Sequence, residues 1–179
     1  MSTRSNVAVV DPVDGKIKTI YVHSDGYPDG VGNCLIKYYN DYEKAIALVK
    51  KGGASYLGST LEECEFYGDK NYRAQNYRNE YCFMYDMRGE FMIEYIYLWK
   101  DGHWSVSEMK STKRPKDAYE EHITYWTKFI RVEDHEDFTA PKDLKHGELK
   151  MRKEIGAMLG KMYGEDNIVE AGKKMKKLN

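Results

Sequence analysis

His23, Asp25, Tyr27 and Asp29 fall in one short stretch together with Gly26, Pro28, Gly30 and Gly32. An imidazole beside carboxylates is acid–base equipment, because histidine titrates near neutrality. Arg4, just ahead of the first strand-like segment, would add an anion clamp. In that arrangement His23 and Asp25 act on a nucleotide or phosphoester. Arg4, Tyr27, Asp29 and the backbone at Gly30 and Gly32 complete the ligand site. Such a turn opens a helix, so N–H groups near Gly30 to Cys34 point into it, an arrangement that receives phosphate or carboxylate. Two carboxylates repel a free anion, however, and can cap those same amides. The GxG spacing is neither a Walker loop nor a dinucleotide fingerprint. A ligand turn and a purely structural turn therefore both stand, and His23 also reads as a surface or capping histidine.

A second set lies further on, where Asn71-Tyr72-Arg73 and Asn76-Tyr77-Arg78 repeat one triplet. Tyrosine stacks and arginine pairs with phosphate or carboxylate, so Tyr72, Arg73, Tyr77 and Arg78 are candidates for contact with a nucleotide, RNA or a protein partner. The plain alternative is a polar surface loop. Lys173 to Lys177 offers cations for nucleic acid, or simply favourable charge at a helix C-terminus. Loss of Met1 would make Ser2 an N-terminal nucleophile with its own amine as base, or merely a processed start. No GxSxG elbow exists. The five histidines show neither HExxH nor HxH spacing, so neither a metal nor a cofactor is expected.

The elements that must position these residues follow from pattern. Asn6–Val10 and Ile17–Val22 read as strands joined by Asp11-Pro12-Val13-Asp14-Gly15, a hairpin signal. Leu35, Tyr39, Tyr42, Ile46 and Val49 recur at helical steps from about Asn33 to Lys51, with Gly52-Gly53 as the stop. Asn40-Asp41 is a candidate break. Residues 54–80 read as an irregular polar insertion, with a short apolar element near Tyr56–Leu61. Tyr81–Met87, Glu90–Trp99 and His103–Ser107, separated by Arg88-Gly89 and Asp101-Gly102, predict a three-strand antiparallel meander. The Asp101-Gly102 turn sets Trp99 opposite Trp104 and Tyr97 opposite Val106. With both faces of the central strand apolar, one packs on helices and the other is covered or binds something. Residues 116–130 fit a helix carrying Ala118, His122, Trp126 and Phe129, or a strand. Glu133–Asp137 reads as a solvated acidic loop, and 142–179 as a helical basic tail. The sum is a single α+β domain with an antiparallel sheet of about five strands.

The totals narrow the class. The 179 residues suffice for one domain with a real core, and the net charge of −1 excludes a protein whose whole surface grips nucleic acid. From Lys142 onward ten Lys/Arg face six Asp/Glu, a balance of +4 that leaves −5 on residues 1–141. Three cysteines without CxxC spacing suit a reduced compartment, so a cytoplasmic location is expected. No apolar run reaches membrane length and no signal-peptide pattern opens the chain. Sixteen tyrosines favour strands and contact surfaces, and self-association is left open.

Ser2-Thr3-Arg4-Ser5 and the run Tyr21-Val22-His23-Ser24-Asp25-Gly26-Tyr27-Pro28-Asp29-Gly30-Val31-Gly32 resemble a family of small uncharacterised proteins frequent in phages and prophages. The likeness covers about the first third of the chain. It implies a phage-type source acting in the host cytoplasm, without a defined chemistry. The leading expectation is a non-enzymatic accessory protein that binds a host factor or sequesters a small nucleotide signal, in counter-defence or host takeover. A nucleotide or phosphoester hydrolase using the His23/Asp25 turn is the alternative, and an RNA-binding module the third.

Overall fold

The computed structural model describes residues 2–90, 92–113 and 122–140, and the fold is that of the unit Met1–Thr139. In chain order these residues form strands β1 (Ser5–Val10) and β2 (Ile17–Val22), helices α1 (Asn33–Tyr38) and α2 (Tyr42–Lys50), and strands β3 (Ala54–Tyr56), β4 (Glu65–Phe66) and β5 (Gln75–Tyr77). Helix α3 (Glu80–Met87) and strands β6 (Tyr95–Lys100), β7 (His103–Lys113), β8 (His122–Trp126) and β9 (Ile130–Arg131) follow.

Two hairpins form as their turns dictate. Asp11 accepts the Val13 N–H at 2.8 Å, and Gly15 takes a φ of 71°, closing β1 on β2 with Val7 opposite Ile20. At the second, Asp101 and Gly102 both take positive φ, as a two-residue hairpin turn requires. Trp99 then lies opposite Trp104 and Tyr97 opposite Val106, the expected register, and the two indoles meet edge to face at 5.4 Å.

Several expectations require correction. The sheet is mixed, not antiparallel: β1 runs parallel to β6, with Val7 beside Tyr97. It has nine strands among the described residues, in the order β4-β3-β2-β1-β6-β7-β8, with β5 on β2 and β9 on β7. The first strand of the expected meander is helix α3. Its aromatic residues favour strands, but Asn79 caps it by accepting the Cys82 N–H at 2.9 Å, and Phe83 and Met87, one helical turn apart, are buried. Burying both side chains stabilises by about 1.5–3 kcal/mol each. The 54–80 insertion is not irregular throughout, since it contributes β3, β4 and β5. Residues 122–126 are strand. The helical basic tail at 142–179 lies outside the described residues.

The Asn33–Lys51 helix divides where Asn40-Asp41 suggested. Asp41 accepts the Lys44 N–H at 2.8 Å and so starts α2. α1 serves the sheet face carrying Tyr97 and Trp104, where the Trp104 indole N–H donates to the carbonyl of Tyr39 at 3.0 Å. α3 covers the opposite face, where Phe83 and Met87 pack with Ala8, Ile17, Ile96 and Leu98. No helix among the described residues is long and apolar enough to cross a membrane.

Candidate functional site

The 23–32 turn is folded onto the chain's own backbone. Asp25 adopts a φ of 56°, a left-handed position that Asp tolerates better than most residues. Its carbonyl accepts the Val31 N–H at 2.7 Å, and the Tyr27 carbonyl accepts the Gly30 N–H at 2.9 Å. The amides expected to face a ligand are thus paired within the turn. A Cβ at Gly30 would lie 2.2 Å from the Asp25 carbonyl oxygen, and one at Gly26 2.9 Å from the Thr3 carbonyl oxygen. Both glycines are explained by close backbone approach. Gly32 is buried, and Pro28–Gly32 forms a wide π turn running into α1.

The turn's side chains disperse. Asp25 accepts from the Tyr27 hydroxyl at 3.3 Å, and its charge pushes the Tyr27 hydroxyl above the usual tyrosine range. Asp29 accepts from Asn33 at 2.8 Å and from the Thr139 N–H at 3.3 Å, which ties the turn to the end of the domain. Beneath the turn, the buried Tyr97 hydroxyl donates to the Gly26 carbonyl at 2.8 Å.

His23 points into a different group. Its Nδ1 lies 2.7 Å from the Tyr21 hydroxyl, and its carbonyl accepts from the Ser2 hydroxyl. The Tyr21 ring sits edge-on to His23 at 6.0 Å and tilted toward Tyr72 at 6.3 Å. Tyr72 in turn stacks on Tyr67 at 4.1 Å. Burial raises the Tyr21 hydroxyl above its ordinary range, and the Arg4 guanidinium beside it partly offsets that. Arg4 is half-buried and has no carboxylate partner among the described residues.

Four elements build this ladder. Arg4 immediately precedes β1, Tyr21 is the penultimate residue of β2 with His23 just beyond the strand, and Tyr67 follows β4. Tyr72 ends the short 3-10 turn Lys70–Tyr72, which Asp69 caps by accepting the Asn71 N–H at 2.7 Å. The Tyr72 carbonyl accepts the Gly53 N–H at 2.6 Å, pinning the turn against the Gly52-Gly53 stop of α2. Tyr67 and Tyr72 nevertheless remain 36% and 40% exposed. Chemically the ladder offers ring faces, a guanidinium bonded to the Tyr21 hydroxyl, an imidazole and hydroxyls. Those groups suit a planar ring carrying an anionic group.

Of the residues singled out by sequence, Arg4, His23 and Tyr72 therefore converge, while Asp25, Tyr27 and Asp29 do not join them. Tyr77 packs edge to face on Phe83 at 5.3 Å and so serves α3. Arg73 and Arg78 are exposed on either side of β5. Tyr21 and Tyr67 were missed; alternation along β2 put Tyr21 on the same face as His23, but nothing local to Tyr67 signalled its stacking partner. The 133–137 segment is not a fully solvated loop, since His135 is buried beside Tyr95, with Nε2 3.5 Å from Glu108. Cys34 and Cys64 both lie against the Gly58 carbonyl, and burial pushes the Cys34 thiol up to about 12.

Comparison with protein-family models, curated proteins and solved structures finds no match to this chain.

Proposed function

We propose that the chain is a non-enzymatic binding protein whose ladder of Arg4, Tyr21, His23, Tyr67 and Tyr72 takes a small nucleotide. The observation that carries this reading is half-buried Arg4, its guanidinium hydrogen-bonded to Tyr21 and without a carboxylate partner among the described residues, set with exposed, stacked tyrosine rings. The rings supply a base platform and the guanidinium a phosphate partner. Sequestration of a nucleotide signal is the counter-defence role compatible with the phage-type resemblance. Hydrolysis by a His23–Asp25 pair gains no support, because His23 is bonded to Tyr21 while Asp25 accepts from Tyr27.

Titration calorimetry with a panel of mono-, di- and cyclic nucleotides tests the proposal. The expected result is saturable binding without turnover, weakened about tenfold or more by Arg4→Ala and by Tyr72→Ala. Absence of binding across the panel, or binding indifferent to both substitutions, overturns it.

A further inference from the structure

The ladder is not an isolated patch, because α3 adjoins it. Tyr21 packs against the cluster that holds Phe83 and Met87. Its cross-strand neighbour Asn6 donates to the Met87 sulfur at 3.0 Å. The C-terminal half of α3 therefore borders the ladder. On its solvent side α3 carries a second stacked pair, Tyr81 and Tyr85, with centroids 6.4 Å apart and near-parallel rings. These two are 75% and 62% exposed, far more than core packing explains. They stand two positions either side of the inward Phe83, so helical geometry turns them away from the sheet.

Three arginines on or next to these elements are available to pair with phosphate. Arg4, Arg73 and Arg88 have no carboxylate partner among the described residues. Of the acids on α3 and just beyond it, Glu80 is paired with Lys100 at 2.7 Å, and Asp86 and Glu90 lie toward Tyr77. Two exposed ring pairs, with Arg4 beside Tyr21, Arg73 next after Tyr72 and Arg88 next after α3, supply the groups by which single strands are held: bases stack, phosphates pair. We infer that this surface takes a single-stranded nucleic acid, the ladder receiving one base and its phosphate and the Tyr81–Tyr85 pair receiving neighbouring bases. The inference rests on the ladder reading and extends it to a longer ligand.

Competition between thymidine monophosphate and an eight-residue oligodeoxythymidine for the full chain tests it, read by fluorescence anisotropy of the labelled oligomer. The oligomer should bind at least about tenfold more tightly than the mononucleotide. The double variant Tyr81→Ala/Tyr85→Ala should abolish that advantage and leave mononucleotide affinity unchanged. Arg88→Ala should flatten the logarithmic salt dependence of oligomer binding by about 0.7. An oligomer no tighter than the mononucleotide, or an advantage that survives the double variant, overturns the inference. The ladder reading fails separately, if no mononucleotide binds or if Arg4→Ala leaves mononucleotide affinity unchanged.

Discussion

The 23–32 turn and the tyrosine ladder lie next to each other in the chain, sharing His23 at their boundary, yet they use their residues in opposite ways. In the turn, amides meet carbonyls, glycines admit neighbouring backbone and the carboxylates hold local partners. In the ladder, the rings of Tyr67 and Tyr72 stay exposed to solvent beside half-buried Arg4. A dense cluster of turn formers thus specifies how tightly the backbone folds on itself. Surface chemistry comes from residues scattered over four elements, with no signature in any one of them.

Substitutions in the two regions test this contrast. The largest effect is expected at Gly30, where a methyl group would meet the Asp25 carbonyl oxygen. Gly30→Ala should destabilise by about 3 kcal/mol or prevent folding, as read from urea denaturation. A tolerated alanine would remove the packing account of the turn.

Tyr97 gives the next test. Tyr97→Phe leaves the Gly26 carbonyl without its donor and should cost about 1–3 kcal/mol at neutral pH. Burial holds the Tyr97 hydroxyl well above the usual tyrosine range, and burial likewise pushes Tyr95 up to about 12. Since both are raised in the folded state, their contribution is complete below about pH 10 and declines as pH rises through the folded-state values. Stability should therefore fall between about pH 10 and 12, less steeply in Tyr97→Phe. Denaturant midpoints measured across that range check the sign, and a rise would contradict it.

The smallest effect on stability should come from the ladder. Tyr67→Ala is expected to shift unfolding by no more than about 0.5 kcal/mol, while weakening nucleotide binding. A loss of several kcal/mol in the same measurement would make the ladder architecture like the turn, and erase the contrast.

The legible parts of the fold were those set by neighbours in sequence. Asp101-Gly102 sufficed to place Trp99 against Trp104, and Asp11 to Gly15 to close the first hairpin. The parallel pairing of β1 with β6 left no local trace, because no turn joins them. Helix α3 was obscured by its composition: Tyr81 to Met87 is rich in strand formers, and only Asn79 and the Phe83/Met87 spacing argued otherwise. At the site, Arg4, His23 and Tyr72 were visible as chemistry. Their convergence was not, since it depends on the sheet bringing the start of β1, the end of β2 and the 67–72 segment together at one end of its strands.

That parallel pairing has a consequence for synthesis. β1 is central in the finished sheet, yet its second neighbour, β6, begins only at Tyr95. While a ribosome makes the intervening chain, the first hairpin exists with one long apolar edge uncovered, the condition under which strands recruit foreign partners. Until β6 is made, that edge of β1 stays open to foreign pairing, and closure of the sheet must await a contact of high sequence separation, the slow kind to form.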